Sequence, residues 1–239
     1  MRSIALGISM LAFSAGMANA AGKLSLYCAA QEEWCQVMAR GFEQATGIDV
    51  DMTRKSSGET FAQVKAEASN PKGDIWWGGT GDPHLQAAEE ALTEAYVSPM
   101  RDQLHPWAIA QATSAGDRTI GIYSGALGFG YNSDLLKANG LEAPACWEDL
   151  TKPDYKRQAQ MATPISSGSA YTTLATMVQL FGEDGGFDYM KRLHANINQY
   201  TKSGSAPIKA AGQGETAIGI VFMHDAVAQT VAGFPVVTV

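Results

Sequence analysis

From Lys23 to Ala91 the chain alternates short strand patterns with helical ones, and this alternation constrains its fold more than any other feature. Lys23–Ala29 (KLSLYCA) switches between apolar and polar residues, as a strand with one buried face does. Gln31–Thr46 then carries Trp34, Val37, Met38 and Phe42 at helical spacing, and Gly47 follows where a helix end favours glycine. Ile48–Thr53 reads as a second strand, Glu59–Ser69 as a helix, Asp74–Trp77 (DIWW) as a third, buried strand, and Pro83–Ala91 as a helix. Such a β-α-β-α-β series predicts an α/β protein with a parallel sheet and right-handed crossovers.

Thr119–Asn132 (TIGIYSGALGFGYN) is long, Gly-punctuated and β-like, suited to crossing from one lobe to another. A second α/β series follows: helix Ser133–Asn139, a Pro/Trp segment Ala143–Leu150, strand Gln160–Thr163, helices Gly168–Gly182 and Phe187–Asn196, strand Asn198–Thr201 and helix Ser205–Ala211. The expected organisation is a first lobe over 21–118, a crossing strand over 119–132 and a second lobe over 133–239. The sequence stops on an apolar strand, Pro235–Val239, and the first lobe has only three strands, a thin core. It is therefore expected to be a piece of a longer protein, with a C-terminal part missing.

The first twenty residues have the pattern of an export leader: Arg2, an apolar run Ile4–Phe13, and Ala18-Asn19-Ala20 as a small-x-small cleavage site after Ala20. The apolar run is too short to span a membrane. A formal net charge of −7 with no basic run argues against nucleic acid or anionic lipid as partner. Among three cysteines, Cys28 closes a strand and Cys35 falls in the first turns of the next helix. A Cys28–Cys35 bridge with Cys146 free, and three small buried thiols, both fit. No C-x-x-C pair or His/Cys cluster points to structural zinc or thioredoxin chemistry.

In open α/β sheets ligands sit at the carboxyl ends of strands. Ala217–Phe222 is an apolar strand that stops at Met223-His224-Asp225 before a helical pattern, so His224 and Asp225 either face such a cleft or merely cap the helix. Three further joins combine hydroxyls and glycine at helix starts: Lys55-Ser56-Ser57-Gly58, Gly78-Gly79-Thr80-Gly81 and Pro164-Ile165-Ser166-Ser167-Gly168-Ser169. Free N–H groups at such starts favour anions, a phosphate or a carboxylate. No P-loop, G-x-S-x-G or H-E-x-x-H motif is present. His84, His105 and His194 read as surface residues, so no nucleophile accompanies His224-Asp225 and an enzyme is not expected. Trp76-Trp77 reads as core, whereas Tyr27 and Tyr171 either wall a cleft or pack.

The segments LYCAAQEEWCQVMARGFEQATGIDV, SSGE, DIWWGGTGDP, GIYSGALGFGYN and GETAIGIVF resemble substrate-binding proteins of ABC importers, in the branch with ferric-ion, phosphonate and hexose-phosphate binders. The resemblance runs from Lys23 to Val239. It implies the type II periplasmic binding fold, two α/β lobes closing on a solute, a periplasmic monomer that docks on a membrane permease, and no cofactor. In that comparison the positions of ferric ligands fall on Gln31, Gly79 and Met223-His224-Asp225, a poor oxygen set for a hard cation. A small anionic solute, most simply a sugar phosphate, fits better. Its hydroxyls would go to His224 and Asp225, with Gln31 beside them. Its phosphate would go to Ser56, Ser57, Thr80, Ser167, Gly168 and Ser169, a cradle of neutral donors without arginine. A ferric-ion binder is the alternative; a phosphonate binder or an enzyme on the same fold ranks lower.

Overall fold

The computed structural model describes residues 22–239, so the expected leader and the cleavage expected after Ala20 lie outside the described residues. Strands β1 (Lys23–Cys28), β2 (Asp49–Arg54) and β3 (Ile75–Trp77) form a parallel sheet in the order β2-β1-β3. Helices α1 (Glu32–Thr46) and α2 (Ser57–Ala66) connect them, and α3 (Gly81–Glu89) follows β3. Gly47 ends α1 in the left-handed region, φ 72°, where its N–H reaches the Glu43 carbonyl. That conformation is open to glycine at little cost.

Helix α1 forms where the spacing places it, with Val37 60% and Met38 48% exposed, and it buries only Cys35 fully. One expectation fails in this half: β3 is not a buried strand. β1 takes the centre of the sheet and leaves β3 at its edge, with Ile75 exposed and Trp76 and Trp77 half-buried. The core here is small: Leu26, Cys28, Ala30 and Cys35, lined by the partly buried Trp34, Val50, Met52 and Trp77. Cys28 and Cys35 are joined as a disulfide within it, while Cys146 is free and exposed.

A helix the sequence did not announce, α4 (Pro106–Ser114), follows; Pro106 opens it and it buries only Ala108 and Ala112, too little apolar contrast to read as periodic. Thr119–Ala126, expected as strand, has no regular structure. A Cβ at Gly121 would lie 2.2 Å from the Trp107 ring, so the backbone runs against that side chain instead of pairing. Strand begins only at β4 (Leu127–Asn132).

β4 belongs to a five-stranded sheet ordered β6-β5-β7-β4-β8, with β5 (Ala159–Ala162), β6 (Ile197–Thr201), β7 (Ile218–Phe222) and β8 (Val236–Thr238). β5, β6 and β7 are parallel; β4 runs antiparallel to β7 and β8. Helices α5 (Ser133–Ala138), α6 (Gly168–Asn196), α7 (Ala206–Gly212) and α8 (Met223–Val231) pack on it. The backbone of α6 leaves helical geometry at Gly182, φ 74° and ψ 172°, where the sequence ends one helix before starting another. The core includes Phe129, Met161, Met177, Tyr189, Leu193 and Ile218, each at most 2% exposed, and burying each such side chain is worth roughly 1.5–3 kcal/mol. Its polar members are satisfied: Tyr189 Oη donates to the Trp147 carbonyl at 2.6 Å, and Asn196 Nδ2 to the Leu150 and Lys152 carbonyls.

Candidate functional site

The carboxyl ends of the parallel strands in both sheets face a common cavity of about 300 Å³. Gln31, Ser56, Ser57, Thr80, Ser167, Gly168, Ser169, His224 and Asp225 all line it. They come together because each ends a strand or begins a helix: Gln31 before α1, Ser56 before α2, Thr80 before α3, Ser167 before α6, and His224-Asp225 in the first turn of α8.

At one end the N-termini of α2, α3 and α6 converge. Gly58 of α2 donates its N–H to the Ser166 carbonyl at 2.9 Å, and a Cβ on Gly58 would lie 2.6 Å from the Ile165 carbonyl oxygen. A Cβ on Gly168 would lie 2.2 Å from Thr80 Oγ1. The halves thus touch at backbone distance, which only glycine permits. Ser57 Oγ accepts from the Thr80 N–H at 3.3 Å and keeps its own proton to give. Ser56 lines the wall, but its hydroxyl already donates to the Lys202 carbonyl at 2.9 Å. Thr80 Oγ1 is buried and has no hydrogen-bond partner among the described residues. A buried hydroxyl without a partner costs about 1–3 kcal/mol unless something else bonds it.

Arg54, the last residue of β2, also lines the cavity and corrects the expectation of a cradle without arginine. Its Nε donates to the Ala30 carbonyl at 3.1 Å and its Nη2 to Ser203 Oγ at 3.3 Å, which holds the guanidinium across the gap between the halves. The Ser203-Gly204-Ser205 stretch before α7 is a fourth hydroxyl–glycine join of the kind noted above, and Gly204 and Ser205 line the cavity.

At the other end Gln31 Nε2 donates to Asp225 Oδ1 across the gap. Asp225 is 5% exposed, and burial pushes its carboxyl up to about 7 against the pull of Lys209 and Arg54. Burial also holds the His224 imidazole below its usual range, so His224, 3.9 Å from Asp225, is a neutral neighbour and not an ion-pair partner. The His224 ring lies between Trp34, 5.1 Å between centroids, and Phe222, 5.7 Å and nearly parallel. A Cβ on Gly125 would lie 2.9 Å from His224 Nδ1. Tyr123 Oη accepts from the Gly79 N–H at 2.8 Å, so the irregular segment lines the cavity and braces the loop after β3.

Other candidates are placed elsewhere. Tyr27 is buried beneath α2, where its hydroxyl donates to Glu67 Oε2 and accepts from Gln63, and Tyr171 points to solvent at 47% exposure; neither walls the cavity. His105 and His194 are exposed, but His84 is not a surface residue. Its ring stacks on Trp76 at 3.9 Å and its Nε2–H donates to the Gly78 carbonyl at 2.8 Å, under the Gly78-Gly79 turn. Burial keeps it neutral by lowering its pKa.

The family model for bacterial extracellular solute-binding proteins matches residues 83–236, more than half of the chain. The chain belongs to that family. As a solute-binding protein it is 46% identical to AfuA from Actinobacillus pleuropneumoniae, solved with exogenous fructose-6-phosphate bound, with a TM-score of 0.88 over 91% of this chain and 68% of that one. An uncharacterized protein of Haemophilus influenzae is 43% identical over 93% of this chain and 66% of its own. A putative 2-aminoethylphosphonate-binding periplasmic protein of Salmonella typhimurium is 33% identical over 68% and 45%, and an Fe(3+)-binding periplasmic protein of Serratia marcescens 26% over 90% and 61%. The chain thus spans less than two thirds of the curated relatives it matches. The architecture is the type II periplasmic binding fold expected from the sequence.

Proposed function

We propose that this chain is the solute-binding component of an ABC importer, working in the periplasm, and that it holds a small phosphorylated solute, a sugar phosphate, between lobes at 21–118 and 133–239 joined through 119–132. The observation that carries the reading is the buried, unpartnered Thr80 hydroxyl where the N-termini of α2, α3 and α6 converge. Convergent helix N-termini favour a tetrahedral dianion, and the Thr80 hydroxyl would gain the partner it lacks. Ser57, Ser167, Gly168 and Ser169 would supply further donors there, with Ser56 contributing position and Arg54 charge. His224, Asp225 and Gln31, at the far end, would meet sugar hydroxyls. The resemblance to a chain solved with fructose-6-phosphate supports the same class.

Calorimetric titration with fructose 6-phosphate and glucose 6-phosphate tests it, with inorganic phosphate and 2-aminoethylphosphonate as comparison arms. Binding at micromolar dissociation constants or tighter is expected, lost on His224→Ala or Asp225→Ala. Absence of heat with every phosphorylated sugar overturns it. The Serratia relative keeps a second reading, ferric-ion binding, in view. The lining offers Asp82, the Asp225 carboxyl raised to about 7, the His224 imidazole and the Tyr123 phenol, whose ionisation burial disfavours, and among the described residues no three His, Cys, Asp or Glu are grouped to hold a metal, a weak donor set for Fe³⁺. A purple-red tyrosinate band on adding iron would favour that reading over this one.

A further inference from the structure

α1 is fifteen residues long, yet the only side chain it buries fully is Cys35, which is bonded to Cys28 at the end of β1. Its N-cap residue, Gln31, makes no capping hydrogen bond; its amide instead crosses the gap to Asp225. The same first turn sends Trp34 to His224 and Glu33 to Lys209 of α7 at 3.4 Å. One helical turn therefore makes three contacts with the opposite half, while its hold on its own sheet rests on the buried Cys35 and the partly buried Trp34. The covalent link closes over the six residues 29–34, of which Ala29, Ala30, Gln31 and Trp34 are in the cavity wall.

We infer that the Cys28–Cys35 disulfide is a positioning element of the solute site, fixing the first turn of α1 so that Gln31 and Trp34 meet Asp225 and His224 when the cavity is closed. A short cross-link of this kind removes conformations of the wall that cannot make those contacts, so the solute does not have to select against them. The inference rests on the cavity being a solute site, but its structural half can be read without a ligand.

The test is a Cys28→Ser/Cys35→Ser variant beside the wild-type chain. Without ligand, hydrogen exchange at the amides of 31–35 and of α8 should quicken in the variant while the core strands β5 and β7 keep their protection. Unchanged exchange in the first turn of α1 overturns the inference, whatever the solute proves to be. With fructose 6-phosphate the variant should bind at least about tenfold more weakly, and Gln31→Ala should then cost little more, although it weakens the wild type. Equal affinity, or a full additional Gln31→Ala effect, overturns it. If that variant does not fold, Cys28→Ala/Cys35→Val, which keeps the buried pair apolar, replaces it in both measurements with the same expected and overturning results. Failure of fructose 6-phosphate to bind the wild type would instead strike the proposed function and leave the exchange result to decide here.

Discussion

The two sheets carry the same kind of strand-to-helix joins but are held together differently. The five-stranded half has a continuous core running from Phe129 to Ile220, with its buried polar groups answered by backbone carbonyls. The three-stranded half has a four-residue cluster, an exposed edge strand and a helix anchored by a disulfide. Yet each half contributes about equally to the cavity wall. Site geometry thus depends on strand ends and helix starts, whereas stability depends on what lies beneath them.

The largest effect should expose that difference. Leu193→Ala, in the five-stranded core, should cost about 2–5 kcal/mol in chemical denaturation. Leu26→Ala, whose neighbours Val50, Met52 and Trp77 already meet solvent, should cost distinctly less. Equal costs would erase the distinction between the halves. Next comes Gly168→Ala, which sets a methyl against Thr80 Oγ1 where the halves touch. Stability should change by less than about 1 kcal/mol, while affinity for fructose 6-phosphate falls about a hundredfold, some 2.7 kcal/mol, by calorimetry. An unaltered affinity would show that the halves need not approach so closely.

The cross-gap contact at Asp225 gives a pH test. Its carboxyl is raised from 3.8 to about 7 by burial, so between those values the folded chain holds a proton that the unfolded chain has lost. Stability without ligand should therefore fall as pH rises through that window, by on the order of 4 kcal/mol, followed by thermal unfolding. Asp225→Asn, which keeps an acceptor for Gln31, should flatten this dependence. The smallest effect is expected of Thr80→Val, which removes an unpaired hydroxyl at constant shape. It should leave the unliganded protein unchanged or up to about 1 kcal/mol more stable, and weaken fructose 6-phosphate binding about tenfold in titration.

The joins were legible in the sequence because each is local: an apolar run, a break, hydroxyls and glycine, then helical spacing. Ser57, Thr80, Ser167 and His224 follow from that pattern together with the rule that ligands sit at strand ends. Arg54 was missed because the strand pattern stops at Thr53, whereas the strand runs one residue further and nothing local says that this cation turns inward. Tyr123 was missed because its role depends on Gly79 approaching from another element. The spacing of Val37 and Met38 marks the helix, but periodicity does not say that their face is covered. His84 looked exposed beside Pro83, and only the fold brings Trp76 over it.

The exposed Cys146 thiol has a practical consequence for all of these measurements. In air two chains can couple through it, and such a pair would pass for a natural dimer on a sizing column. The reductant usually added to prevent this also attacks disulfides, although Cys28 and Cys35 are fully shielded and an exposed bridge between two Cys146 thiols will be reduced first. Cys146→Ser is therefore the sound background for purification, because it removes the surface thiol and leaves the bridge as the sole cysteine chemistry of the described residues.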